Sequence, residues 1–179
     1  MKALDAARGE ERSTNRRIGV LFVCAGNICR SPLAEGVFSA LAAKAGLRDR
    51  IVVDSAGTHG SQVRRSPDPR VLCAARRRGY VLPSRVARQI VTADFARYDW
   101  ILAMDQHNLA MLETLRPTTF RGHLGLLLAL SDESNVLEVP DPYYGGTREF
   151  ENVLALVEQG AAALLEAIRL HLAIEAKTT

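Results

Sequence analysis

Short apolar runs alternate along this chain with longer segments that carry apolar residues every third or fourth position. Residues 18–23 (IGVLFV) are apolar throughout, as in a strand buried on both faces of a parallel sheet. In residues 31–47, Leu33, Val37 and Leu41 recur at four-residue spacing, as do Ala34 and Phe38, which predicts a helix with one apolar side. Ser31 is expected as its N-cap, Pro32 in its first turn and Gly46 at its end. Residues 51–57 (IVVDSAG) read as a second strand and 58–68 as a polar loop. Residues 69–80 read as a helix with Arg76, Arg77 and Arg78 in its last turn before Gly79, where cations complement the helix dipole. A third strand is expected at 99–104, a helix over 105–115 closed by Pro117, and a fourth strand at 124–128. A long final helix has Phe150, Val153, Leu154, Val157, Ala161, Leu164, Leu165 and Ile168 on its inner side. Strands alternating with helices make an α/β sandwich with a parallel sheet. Ligands in such sheets bind beyond the C-terminal ends of the strands, so the loop after the first strand is the expected site.

Composition narrows the function classes. The 179 residues suit one domain, read here as residues 17–176 after a disordered tail over 1–16. No run is long enough to span a bilayer, and the charged N-terminus lacks the apolar run of a signal peptide. Asp5, Glu10 and Glu11 argue against a mitochondrial presequence. Three cysteines, Cys24, Cys29 and Cys73, with no export signal point to reduced thiols in a cytoplasm. There is no C-x2-C pair and the four histidines are scattered, so no zinc site is expected. The net charge of +3 is carried mostly by arginine, which permits acidic or phosphorylated partners. Aromatics do not alternate with the basic residues, which argues against nucleic acid.

The expected ligand loop reads Cys24-Ala25-Gly26-Asn27-Ile28-Cys29-Arg30-Ser31, a C-x5-R followed by a hydroxyl. It is neither a G-K-[ST] phosphate loop nor a G-x-G-x-x-G dinucleotide loop. A strand–loop–helix corner gathers backbone N–H groups at a helix N-terminus and so makes an anion site. Gly26 and Asn27 are the residues best suited to a left-handed turn. Arg30 offers a planar fork for two phosphate oxygens. The same field favours the charged form of the Cys24 thiol, and Ser31 is placed to donate its hydroxyl to that sulfur. A nucleophile and an oxyanion cradle around one point suit attack of sulfur on phosphorus.

This loop closely resembles that of the low-molecular-weight protein tyrosine phosphatases. The segments SAGT, RSPDPR (65–70), ARQI (87–90), ILAMD (101–105) and DPYYGG (141–146) resemble the same family in the same order. The resemblance implies a four-stranded parallel sheet with helices on both faces and the phosphate loop after the first strand. It implies Cys24 as nucleophile, Arg30 as phosphate clamp, and Asn27 and Ser31 as loop and thiolate supports. Asp141 matches the general acid, protonating the leaving oxygen and then activating water. Tyr143 and Tyr144 become walls of an aryl pocket, or sites of phosphorylation. Ser61 falls where many members have an aromatic wall. Arg64 stands where Gly is common and Arg78 where some members have His; each is either an acid-seeking rim residue or a solvated arginine. Asp105 and His107 are read as structural. Cys29 is either a small buried side chain or a thiol that resolves oxidised Cys24 by disulfide formation.

The implied activity is two-step hydrolysis of phosphotyrosine and aryl phosphates with no metal or other cofactor. Tyrosine-phosphorylated proteins, including a bacterial tyrosine kinase, are the expected partners of a cytoplasmic monomer. Three alternatives stand beside it. An arsenate reductase on this fold would need cysteines after Cys73, which the chain lacks. A protein-arginine phosphatase tends to carry Thr at the position of Ile28. A non-catalytic phosphate-binding module would be expected to lose Cys24, Arg30 or Asp141.

Overall fold

The computed structural model describes residues 16–132 and 135–178; the expected tail lies outside them except for residue 16. Its centre is β1, Ile18–Cys24, buried along its whole length. β1 pairs in parallel with β2 (Ile51–Gly57) on one side and β3 (Trp100–Ala103) on the other. β4 (His123–Leu126) pairs with β3, giving the order β2-β1-β3-β4. The helices are α1 (Arg30–Lys44), α2 (Pro69–Arg77), α3 (Asp94–Arg97), α4 (Gln106–Leu115) and α5 (Thr147–Thr178).

Side chains of a strand alternate between faces, and β1 divides its residues accordingly. Val20 and Phe22 join a core with Leu33, Val37, Phe38 of α1 and Leu154, Val157 of α5. Leu21 and Val23 join a second core with Phe95 of α3 and Leu112 of α4. Each fully buried side chain of this kind contributes about 1.5–3 kcal/mol. Both faces of the sheet are therefore covered, as expected. All eight inner residues predicted for α5 are buried. The register sets Cys24 beside Gly57 and Val23 beside Ala103, so three strands end at one level.

Three local expectations change. Ser31 is not the N-cap of α1: the helix begins at Arg30, Cys29 holds the cap position, and no side chain caps it. The Ser31 hydroxyl is instead turned back to the strand ends, toward Cys24 and the Ala56 carbonyl. A side chain capping those amides would fill the very space an anion needs. The buried face of α1 is also wider than one stripe, since all nine residues from Arg30 to Phe38 are buried. Gly36 is held there by the loop above it, because a Cβ would meet Leu82 Cδ2 at 2.4 Å. Finally, the fourth strand starts one residue early and stops at Leu126, with Leu128 in a 3-10 turn.

Candidate active site

The loop from Cys24 to Ser31 joins β1 to α1 and is anchored by its neighbours. The carbonyls of Cys24, Ala25 and Ile28 accept backbone hydrogen bonds from Thr58 (2.8 Å), His59 (3.0 Å) and Asp68 (2.8 Å). Asn27 takes the left-handed conformation, with φ at 56°. Its amide nitrogen donates to Ser31 Oγ and Ser55 Oγ, both at 2.9 Å, and its Oδ1 accepts from the Arg88 backbone N–H at 3.0 Å. The side chain thus fixes a turn that few residues adopt without support. Gly26 is not in a left-handed conformation, contrary to expectation. Its constraint is space: a Cβ would meet Gln62 Cγ at 3.0 Å. Gly57, which sequence reasoning left unused, is the tighter case, since a Cβ there would lie 2.7 Å from the Ala25 carbonyl oxygen.

Cys24 is 3% exposed, and its Sγ lies 3.1 Å from Ser31 Oγ. That oxygen accepts from Asn27, so its single proton is left for the sulfur or for the Ala56 carbonyl at 3.2 Å. Behind Asn27 the chain of hydrogen bonds continues from Ser55 Oγ to Glu35 Oε2 at 2.7 Å. Burial pushes the Glu35 carboxyl up, against the Ser55 hydrogen bond and the Arg85 charge. Asp54 beside it is half-buried, yet Tyr98, Arg88 and Arg85 outweigh that burial and hold its pKa below the usual range.

Arg30 is 3% exposed. Its Nη1 donates to Asp105 Oδ2 at 2.6 Å and to the Val139 carbonyl at 3.0 Å, while Nη2 donates to Asp141 Oδ2 at 3.1 Å. Burial opposes its charge, but Cys24, Asp105 and Asp141 outweigh burial and keep its pKa above the ordinary value. Asp105, expected only as a structural residue, therefore does two things. One oxygen caps α4 by accepting from Asn108 N at 2.7 Å; the other holds the buried guanidinium. His107 lies exposed on α4, stacked on His59 with ring centroids 5.9 Å apart.

Asp141 is half exposed, and its other oxygen accepts from the Tyr143 backbone N–H at 3.2 Å. Tyr143 lies under the Arg70 guanidinium, 5.6 Å from its ring centroid. Arg70 also binds Asp68 and the Gly145 carbonyl, and so ties the loop that follows Asp141 to the start of α2. Tyr144 is 98% exposed and meets Tyr143 edge to face. Ser61 is exposed in the 3-10 turn Gly60–Gln62, and the residue that reaches the loop is its neighbour Gln62, against Gly26. Arg78 is not a rim residue: it pairs with Glu158 of α5 at 2.9 Å. Cys29 is buried, and burial, followed by the charges of Asp68, Cys24 and Asp141, pushes its thiol up to about 12. Among the described residues no helix is long and apolar enough to cross a membrane.

Comparison with known proteins gives the family. Residues 19–173 match the family model of the low molecular weight phosphotyrosine protein phosphatases. The chain is 41% identical over 152 residues to the Bacillus subtilis low molecular weight protein-tyrosine-phosphatase YfkJ, which covers 85% of this chain and 96% of that one. The crystal structure of YfkJ superposes with a TM-score of 0.82 at 39% identity, covering 88% of this chain and 98% of the other. A protein tyrosine phosphatase from Entamoeba histolytica, crystallised with Hepes in its active site, gives 0.82 at 32% identity, covering 86% and 98%. A Drosophila arginine phosphatase gives 0.78 at 30% identity, covering 83% and 96%.

Proposed function

This chain belongs to the low molecular weight phosphotyrosine protein phosphatases, and from that premise we propose that it hydrolyses phosphotyrosine in proteins, without a metal, through a cysteinyl-phosphate on Cys24. The observation that carries the reading is the convergence of a buried thiol hydrogen-bonded to Ser31 with a buried Arg30 that reaches Asp141. The loop carbonyls of Cys24, Ala25 and Ile28 are engaged outward, which leaves the loop amides and the start of α1 to cradle the phosphoryl oxygens. Arg30 turns from Asp141 to the phosphoryl group as it enters, its Nη1 still steered by Asp105.

In the first step the Cys24 sulfur bonds to phosphorus and the bond to the tyrosine oxygen breaks. Asp141 gives its proton to that oxygen. In the second step Asp141 takes a proton from a water that attacks phosphorus, releasing inorganic phosphate and the thiolate. Arg30 and the loop amides hold the charge that accumulates on the phosphoryl oxygens in both transition states. Ile28 presents an apolar surface at the mouth, half-buried and packed against the core, which suits an aryl group better than a guanidinium. Tyrosine-phosphorylated proteins, a bacterial tyrosine kinase among them, are the partners this chemistry fits.

Phosphate release from a phosphotyrosine peptide in EDTA at about pH 6 tests the reading. Turnover unaffected by the chelator is expected. A metal requirement overturns it, and so does hydrolysis confined to a phosphoarginine peptide, the chemistry named for the Drosophila relative.

Cys29 has a second expected effect. Its buried thiol, pushed up to about 12, is a poor nucleophile at neutral pH. Once Cys24 is oxidised to a sulfenic acid, Cys29, five residues away in the same loop, condenses with it, releasing water and leaving a disulfide. Cys29→Ser is therefore expected to keep most of the turnover and to lose thiol-reversibility after peroxide. Full recovery of that variant in dithiothreitol would sink the idea.

A further inference from the structure

The phosphate loop lies at the C-terminal end of the parallel sheet. All four strands begin at the opposite end, about 20 Å away along β1. A cavity of about 1210 Å³ lies against those starts. Its wall includes Arg50 just before β2, Arg17 just before β1, Trp100 at the start of β3, and Arg121 and His123 at β4. None of these residues takes part in the phosphatase chemistry. The wall is well fixed. Asp99 N donates to the Gly19 carbonyl and its Oδ2 accepts from Gly19 N, both at 2.8 Å, while its carbonyl accepts from His123 N at 2.7 Å. Gly122 is pressed against the same residue, since a Cβ there would lie 2.3 Å from the Asp99 carbonyl oxygen. Trp100 and His123 are partners in the register, with rings tilted by 33° and centroids 4.7 Å apart. Both are half-buried, and burial holds the His123 pKa below its ordinary value, so its ring is neutral at neutral pH.

Charge on this wall is unbalanced. Among the described residues Asp99 is its one carboxylate, and it is taken by Arg16. Arg121 is held by the Thr118 and Phe120 carbonyls, at 2.8 and 3.3 Å, which leave its charge in place. Arg17 and Arg50 have no ion pair and no side-chain hydrogen bond among the described residues. These two are neighbours across the sheet: Ile18 pairs with Ile51, and Ile18 N donates to the Arg50 carbonyl at 2.8 Å. Like charges side by side on adjacent strands destabilise a sheet, and an anion between them removes that cost. Two planar guanidiniums suit phosphate oxygens.

We propose that this cavity binds a nucleoside diphosphate, with its phosphates between Arg17 and Arg50 and its base on the step made by Trp100 and His123. The strand order places the two halves of the wall side by side, β2 and β1 carrying the cations, β3 and β4 the rings. Their centres are two strand spacings apart, about 10 Å, which matches an extended nucleotide from base to diphosphate. A bare polyanion would leave the aromatic half unused, and an uncharged ring would leave the arginines unpaired. Stacking on the rings tolerates any base. The site is remote from Cys24 and independent of the phosphatase reading.

Trp100 is the chain's single tryptophan, so its fluorescence reports on this cavity. The test titrates ADP in EDTA, at low salt, reading that fluorescence and the heat by calorimetry. A saturable change in both is expected. The Arg17→Ser/Arg50→Ser double variant is expected to raise Kd at least about ten-fold; both residues are exposed, so the fold is kept. Adenosine and pyrophosphate, each carrying half of the ligand, are expected to bind at least about ten-fold more weakly than ADP. Arg30→Ala, which removes the clamp of the phosphate loop, is expected to leave ADP binding unchanged. Absence of both signals in the wild type overturns the site, and so does an unchanged Kd in the double variant. Pyrophosphate binding as tightly as ADP would show an anion site without a place for the base, and overturns the nucleotide. Loss of ADP binding in Arg30→Ala would put the ligand at the phosphate loop, and overturns it as well.

Discussion

Cys24→Ser is expected to lower phosphotyrosine turnover by at least about 10⁴-fold while the protein still binds the phosphopeptide. The two halves of that result have separate causes. A serine hydroxyl has nearly the shape of the thiol and can keep a hydrogen bond to Ser31 Oγ, 3.1 Å from the sulfur. The anchors of the loop, Thr58, His59 and Asp68 on its carbonyls and Asn27 across it, do not involve the Cys24 side chain. The cradle therefore survives. The nucleophile does not: a hydroxyl is far less acidic than a thiol, and among the described residues no side chain hydrogen-bonded to Cys24 is a base that could remove its proton. Ser31 is itself a hydroxyl, and Glu35 reaches only as far as Ser55. Phosphate release and peptide binding by calorimetry, run on the same sample, read both halves. Turnover within a hundredfold of wild type would place the nucleophile elsewhere. Loss of peptide binding with turnover would mean that the thiol is part of the cradle and that the loop was misassigned.

The elements that were legible in the sequence are those whose burial is simple. β1 lies at the centre of the sheet, so its run is apolar at every position and needs no partner to be recognised. α5 packs one face on the sheet's side of the fold, and its helical period shows in the spacing from Phe150 to Ile168. α3 has four residues, too few for any period to register. β4 is an edge strand with only Leu126 buried, and its boundary shifted for that reason.

The site divides the same way. Cys24, Arg30 and Asn27 lie in one contiguous loop, so spacing and turn chemistry reveal them. Ser31 reads as a cap because a serine before a helix has two uses, and only the fold puts Cys24 and Ala56 within reach of its hydroxyl. Asp105 reads only as structural in the sequence, because its contact with Arg30 depends on β1 and β3 ending at one level. Gln62 is one residue from the expected Ser61, and a 3-10 turn decides which of the two faces the loop.

Asp141→Asn is expected to slow phosphotyrosine hydrolysis by about 10²- to 10³-fold and activated aryl phosphates by less than about ten-fold. Asparagine keeps the size of the side chain, and its carbonyl oxygen can accept either from the Tyr143 backbone N–H or from Arg30 Nη2, the two contacts Asp141 now makes. The loop that follows Asp141 also stays tied down through Arg70, by its bond to the Gly145 carbonyl and its place over Tyr143 and Phe150. What is lost is the proton. A tyrosine oxygen leaving without one carries the full negative charge into a mouth where Arg30 is already committed to the phosphoryl group. A nitrophenolate bears that charge on its ring and hardly needs the proton. The rate should therefore depend steeply on leaving-group acidity in the variant and weakly in the wild type. The alkaline limb of the kcat/KM profile, where a general acid deprotonates, should flatten in the variant as well. Equal losses on phosphotyrosine and nitrophenyl phosphate, with the alkaline limb intact, would show that Asp141 does no more than position Arg30, and the acid would have to be sought on another residue of the 138–144 loop.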